Sequence, residues 1–222
     1  MREMNLVSAK HNSVSRDYLA RVNDLEYPKH RAAELAKKWG FDYWDGDRRI
    51  CYGGYTYRPG YWTPIAQSLI ENYGLSQSSK VLDIGCGKGF LLFELHKLLP
   101  GIRVYGLDIS DYAIKHAPSE VSSQIVLGTA QELPYKDGEF DLALSINTFH
   151  NLEVFNLYSA LKEVKRVSKQ SYVVVESYRN EIEKENLLYW QVTCESFFNP
   201  AEWKWFFNLA EYDRDYEFIY FL

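Results

Sequence analysis

The run Val81-Leu82-Asp83-Ile84-Gly85-Cys86-Gly87-Lys88-Gly89 constrains this chain more than any other stretch. Its apolar start reads as a short buried strand. The glycines that follow let the backbone turn tightly and lie close to a ligand, because no Cβ stands in the way. A helix is predicted next over residues 90–99, stopped by Pro100. Further strands are predicted at 102–107, 124–127, 140–146 and 172–175, with helices between them. Strands alternating with helices imply βαβ crossovers. The expected class is α/β: a doubly wound, Rossmann-like, mostly parallel sheet with an N-terminal helical extension. A helix over 200–209 and a strand over 216–221 end the chain, and 186–198 stays open between helix and loop.

The expected boundary puts residues 1–62 in a helical and aromatic extension that acts as a lid, and residues 63–222 in the α/β domain. In the extension, Pro28 opens a helix that stops at Gly40. Thr63 as N-cap and Pro64 open the next helix, with Ile65, Leu69, Ile70 and Tyr73 on one side and Gly74 at its end. The loop between them, from Cys51 to Trp62, is crowded with tyrosines and glycines.

A chain of 222 residues suits one domain with an extension, and 46% hydrophobic with 25% charged residues fits a globular protein. The net charge of −5 and the absence of any Lys/Arg-rich run argue against a nucleic-acid partner. Cys51, Cys86 and Cys194 are widely spaced with no CxxC, so reduced thiols and no metal site are expected. No apolar run approaches the roughly 18 residues of a membrane span, and the first residues lack the apolar core of a signal peptide. The expectation is no membrane partner and a cytoplasmic location.

The glycine loop also selects its ligand. Dinucleotide-binding domains want G-x-G-x-x-G, with pyrophosphate at the helix N-terminus. Here Phe90 stands where the last glycine belongs, and Asp83 precedes the loop, where a pyrophosphate would meet its charge. Both weigh against the alternative of an NAD-binding oxidoreductase. A ligand with a cationic end and no phosphate suits these residues better. Asp108 ends the second strand, where a carboxylate can accept from both hydroxyls of a ribose.

The run D-I-G-C-G-K-G, Asp108, and Leu133-Pro134-Tyr135-x-x-Gly138-x-Phe140-Asp141 resemble the class I S-adenosylmethionine-dependent methyltransferases, in their type 11-like form. The likeness spans about residues 60–180. It implies S-adenosylmethionine as cofactor, with Asp83, Gly85 and Gly87 at its methionine end and Asp108 at its ribose. It further implies Ile109 on the adenine face, Ala130 and Gln131 at the adenine edge in place of the usual Asp, and Asn147 close by.

Methyl transfer is an in-line displacement at an activated methyl, so positioning and desolvation supply most of the acceleration. A base is needed only when the acceptor has a proton to lose. His150, just past the fourth strand, is the first candidate base, and Glu176, after the fifth, is the second. Tyr178 and Arg179 follow Glu176 as candidate substrate ligands, and Tyr57 and Arg58 are candidates from the aromatic loop. The C-terminal aromatics, Tyr189-Trp190-Gln191, Phe197-Phe198, Trp203 and Trp205, read as core, substrate wall or a homodimer face.

The runs YGGYTY, SINTFHNL and NLLYWQVTCESFF resemble a small bacterial methyltransferase group of surface-carbohydrate biosynthesis, including capsule phosphoramidate modification. This implies a small-molecule substrate that is polar, and phosphorylated or sugar-linked. A third reading is a non-catalytic cofactor-binding partner of another methyltransferase.

Overall fold

A computed structural model describes residues 1–8 and 16–222. Strands β1 (Lys80–Ile84), β2 (Arg103–Asp108), β3 (Ile125–Leu127), β4 (Phe140–Ile146), β5 (Ser168–Glu176) and β6 (Asp215–Ile219) form one sheet in the order β3-β2-β1-β4-β5-β6. Every neighbouring pair in it is parallel. Chain order reverses between β1 and β4. In such sheets the crevice beyond the carboxyl ends of the strands at this point is where ligands bind.

Alternation along the strands sends side chains to two cores. Phe140, Ala143, Val173 and Val175 face the helices Val154–Val167 and Pro200–Leu209, meeting Leu157, Leu161, Trp203 and Phe207. Leu142, Leu144, Tyr172 and Val174 face the helices Thr63–Tyr73 and Phe90–Leu98, meeting Leu69, Leu91 and Leu95. Burial of each such large side chain contributes about 1.5–3 kcal/mol. The helix Thr63–Tyr73 shows why the sequence folds this way. Pro64 suits the first turn, Ile65, Leu69 and Tyr73 make the buried stripe, and Gly74 ends it in the left-handed conformation at φ 59°.

The structure moves several expected boundaries. Trp62, not Thr63, precedes that helix, because the Thr63 hydroxyl donates instead to Glu94 at 2.7 Å. β5 begins at Ser168, four positions before the apolar run at Tyr172, as its polar start pairs with Phe140 and Leu142 of β4. The ambiguous stretch opens with a helix, Glu181–Trp190, capped by the Asn180 side chain. Trp203, Phe206 and Phe207 are buried in the sheet core while Trp205 is exposed, so the expected dimer face has most of its aromatic surface already covered.

The extension attaches at two places. Arg2 forks onto Asp215, with 2.6 Å from its Nη2 to Oδ2, and the Met4 N–H donates to the Tyr216 carbonyl. The amides of Leu6, Val7 and Ser8 donate to the buried Glu217 carboxylate. These contacts cover the free edge of β6. The helices Tyr18–Asn23, Lys29–Ala36 and Phe41–Trp44 lie elsewhere, and Trp44, Tyr43 and Ile50 form a third apolar cluster with Ala113 and Val192. Among the described residues, no helix is long and apolar enough to cross a membrane.

Candidate active site

A cavity of about 660 Å³ opens beyond the carboxyl ends of β1, β2 and β4, under the extension. Such a volume falls in the usual range for sites that enclose a small molecule. Asp83, Gly85, Gly87 and Asp108 line one end. Ile109, Ala130, Gln131 and Asn147 line it as well, and so do His150 and Glu176.

The glycine loop folds back on the end of β2. The N–H groups of Gly85 and Cys86 both donate to the Leu107 carbonyl, at 2.7 and 3.2 Å, and that of Gly87 donates to Asp108 Oδ2 at 2.7 Å. These amides are therefore committed within the protein, whereas a pyrophosphate site needs loop amides to donate outward. Gly85 and Gly87 hold left-handed backbone, at φ 79° and 55°. A Cβ on Gly85 would lie 2.2 Å from Thr148 Oγ1, and one on Gly87 2.6 Å from the Trp44 ring. The loop is thus packed from both sides, by β4's outgoing turn and by the extension.

The two acids differ. Asp108 accepts from the Gly87 amide and, at 2.8 Å, from the Ser110 amide. Burial pushes its carboxyl up in spite of these donors. Each oxygen keeps a lone pair for a ribose hydroxyl. Asp83 has no hydrogen-bond donor among the described residues, and burial together with the Asp108 charge pushes its carboxyl up to about 7. A buried carboxylate in this state is relieved by a cation. An amino acid bearing an ammonium and a sulfonium is such a ligand, so the residues present fit S-adenosylmethionine.

Past β4 the chain enters the turn that carries the other polar groups. Asn147 holds a positive φ of 55°, tolerated by Asn better than by most residues. Its Oδ1 is buried without a hydrogen bond among the described residues, and so is Oδ1 of Asn151, which also lines the cavity. Both ring nitrogens of His150 face Glu176. The Glu176 N–H donates to Nδ1 at 3.4 Å, and Nε2 lies 3.4 Å from Oε2. Gln191 Nε2 donates to Oε1 at 2.5 Å. Burial pushes the Glu176 carboxyl up to about 8, against the pull of Gln191 and Arg16.

The roof comes from the extension. The Trp44 N–H donates to Ser110 Oγ at 2.9 Å, and Tyr55 stacks on Phe90 with ring centres 5.1 Å apart. Lys88, buried in the glycine loop, binds both Asp45 oxygens at 2.8 and 2.7 Å and the Tyr55 carbonyl at 2.8 Å. Burial pushes the Asp45 carboxyl up, but Lys88 and Tyr112 outweigh it and hold it below its usual value.

Four candidates lie away from the cavity. The Tyr57 hydroxyl donates to Glu94 and accepts from Lys97, and Arg58 is exposed on the surface. Arg179 pairs with Glu183 and covers the Tyr220 ring at 4.2 Å, while Tyr178 lies under Lys184. Tyr178 and Arg179 line a separate shallow pocket with Asn180 and Asn199. Sequence reasoning gave no role to Trp44, Lys88 or Asn151, nor to three arginines of the extension that line the cavity, Arg16, Arg21 and Arg48. The K of D-I-G-C-G-K-G, a lysine inside a glycine loop with no phosphate to meet, was the signal for Lys88.

An all-parallel sheet with its reversal at β1/β4, a glycine loop whose amides turn inward and acids at the ends of β1 and β2 define a Rossmann-like fold built for a cationic nucleoside. The chain belongs to the methyltransferase domain family, whose model matches residues 75–211, within the class I S-adenosylmethionine-dependent enzymes. It is 34% identical over 127 residues to an uncharacterized methyltransferase of Synechocystis, covering 56% of this chain and 57% of that protein. It is 30% identical over 112 residues to the demethylmenaquinone methyltransferase of Staphylococcus aureus, covering 48% and 46%. This chain thus spans about half the length of these relatives. Among solved structures, a methyltransferase-like protein in complex with the Haloferax volcanii Trm112 methyltransferase activator superposes with a TM-score of 0.55 at 21% identity, over 82% of this chain and 75% of that one. YcgJ of Bacillus subtilis superposes with a TM-score of 0.54 at 22% identity, over 65% and 66%. At these identities both structures establish the fold.

Proposed function

We propose that this chain transfers the methyl group of S-adenosylmethionine to an oxygen or nitrogen of a small polar acceptor, and that Glu176 with His150 takes up the acceptor's proton. The observation that carries the reading is a single cavity joining two buried acids at the glycine loop to the His150–Glu176 pair. When bound, the cofactor supplies a methyl on a cationic sulfur, already activated for displacement. Asp83 answers its ammonium, the spare lone pairs of Asp108 its ribose, and Ile109, Ala130 and Gln131 flank its base. The unpaired Asn147 Oδ1 accepts from a cationic N–H. The faces of Trp44 and Tyr55 attract positive charge, an effect of roughly 0.5–2 kcal/mol.

The chain's own chemistry is the proton. A carboxyl that titrates near 8 is a base matched to neutral pH. His150 positions it, with one nitrogen on the Glu176 amide and the other facing the carboxylate. In this reading residues 63–222 are the catalytic domain and 1–62 its lid. The acceptor is phosphorylated, phosphoramidate-bearing or sugar-linked, and the enzyme works in the cytoplasm. The support for that acceptor is the likeness of YGGYTY, SINTFHNL and NLLYWQVTCESFF to surface-carbohydrate methyltransferases.

Calorimetry with S-adenosylhomocysteine and with NAD tests the assignment. Binding of the first and not the second is expected, with at least tenfold weakening in Asp108→Ala. No binding of S-adenosylhomocysteine by the wild-type chain sinks the assignment. Labelled S-adenosylmethionine offered with phosphorylated and neutral sugars then sorts acceptors.

A further inference from the structure

Three guanidinium groups gather on one indole. Those of Arg16, Arg21 and Arg48 lie 5.5, 5.5 and 5.7 Å from the centre of the Trp190 ring, and all four residues line the cavity. Arg21 donates through Nη1 to the carbonyls of Arg49 and Ile50, at 3.0 and 2.6 Å, and its buried Nε makes no hydrogen bond among the described residues. Arg48 donates to the Cys51 carbonyl at 2.5 Å. Neither forms an ion pair with a carboxylate among the described residues, whereas Arg2, Arg49, Arg166 and Arg179 each do.

In a chain of net charge −5, carboxylates are not scarce. Arg48 is exposed, but Arg21 is partly buried; a charge withdrawn from water without a counter-charge is unfavourable, and a carbonyl dipole offsets it only in part. Burial pushes the Arg21 guanidinium down from its usual value. An anion arriving between these groups relieves that burden, and guanidinium forks match the oxygens of phosphoryl and carboxylate groups. The cluster also adjoins the proton-accepting pair rather than the glycine loop. Trp190 precedes Gln191, which binds Glu176, and the Arg16 charge is felt at the Glu176 carboxyl.

We propose that Arg21 and Arg48, held against Trp190, form the subsite for an anionic group of the methyl acceptor, a phosphoryl or a carboxylate. This rests on the methyltransferase reading of the same cavity. It places the acceptor's charge on the extension and its reacting atom at Glu176.

Calorimetric titration of the full chain, saturated with S-adenosylhomocysteine and at constant ionic strength, tests it with two probes, inorganic phosphate and acetate. The wild-type chain is expected to bind at least one of them, and preference between the two tells phosphoryl from carboxylate. Arg48→Gln, which loses one carbonyl contact, should weaken that probe at least tenfold and leave the affinity for S-adenosylhomocysteine within twofold. Arg21→Gln should do the same, and Arg48→Gln stands alone if Arg21→Gln fails to fold. Equal binding of both probes by the wild-type chain and Arg48→Gln overturns the proposal. So does a tenfold loss of S-adenosylhomocysteine affinity in Arg48→Gln, which assigns the guanidinium to the cofactor's own carboxylate. Failure of the wild-type chain to bind S-adenosylhomocysteine defeats the methyltransferase reading instead, and the probe titrations without it still decide the anion subsite.

Discussion

Two walls of the cavity follow opposite plans. At the glycine end Asp83 and Asp108 sit on strands of the sheet, one without a donor among the described residues and the other fastened by two backbone amides. On another wall Arg21 and Arg48 come from the extension, lean on Trp190 and, among the described residues, are satisfied only by carbonyls. The acidic wall is rigid because it grows out of the strand termini. The basic wall holds its place through the docking of residues outside the sheet. The His150–Glu176 pair belongs to the scaffold, yet Gln191 ties it to the wall that carries Trp190. In the proposed reading the methyltransferase fold carries the cofactor chemistry and the extension's wall selects the acceptor.

The largest expected effect lies at the His150–Glu176 pair. Glu176→Gln should lower turnover about 10²- to 10⁴-fold, the usual contribution of a general base, with cofactor affinity unchanged. Undiminished turnover with the acceptor would remove the pair from the chemistry. Next comes the joint between the extension and the glycine loop. Asp45→Asn leaves the buried Lys88 ammonium without its carboxylate, which costs about 3 kcal/mol. That loss should appear as faster amide exchange in the roof around Trp44 and Tyr55, while the sheet strands keep their protection. Uniform loosening of the whole chain would contradict a separate wall.

The acids give a pH dependence of smaller size. Asp83 titrates near 7 in the fold against an ordinary value near 3.8, so its raised value favours the folded state below about pH 4. That contribution is lost as pH rises through 7, and Glu176, near 8, adds a loss in the same direction. The ligand-free chain should melt earlier at pH 8.5 than at pH 6, by calorimetry. A cationic ligand reverses the sign, since it needs Asp83 ionised. S-adenosylhomocysteine, which keeps the ammonium, should bind roughly tenfold more tightly at pH 8 than at pH 6, and Asp83→Asn should flatten that slope. An unchanged slope in the variant would move the ammonium elsewhere. The smallest effect belongs to Arg179, half exposed over the buried Glu183 carboxylate: Arg179→Ala should leave kinetics unaltered and lower stability by about 1 kcal/mol, because the Arg179 N–H still donates to Glu183.

The same contrast explains what the sequence discloses. The glycine loop, Asp83, Asp108 and the alternation of strands with helices rest on local patterns, because a strand end and the turn after it are contiguous in the chain. His150 and Glu176 were legible singly, as residues just past strands, though not as a pair, since 26 positions separate them. The basic wall was not legible. Arg21, Arg48 and Trp190 come from distant segments, and nothing local marks Arg21 as different from Arg58. Tyr57 and Arg58 sat in a conspicuous aromatic loop, but their neighbours Tyr52 and Tyr55 reach the cavity instead. The early start of β5 escaped for another reason: periodicity registers apolar residues, and Ser168 to Ser171 pair through their backbone.

Trp44 and Trp190 both line the cavity, one against the glycine loop and the other against the arginines. Indole emission responds to water and to nearby charge, so the protein contains its own optical labels, one beside the glycine loop and one beside the arginines. Emission lost in Trp44→Phe reports the cofactor, and emission lost in Trp190→Phe reports whatever anion follows. The order in which the two signals change during mixing would give the sequence of arrival with no dye attached.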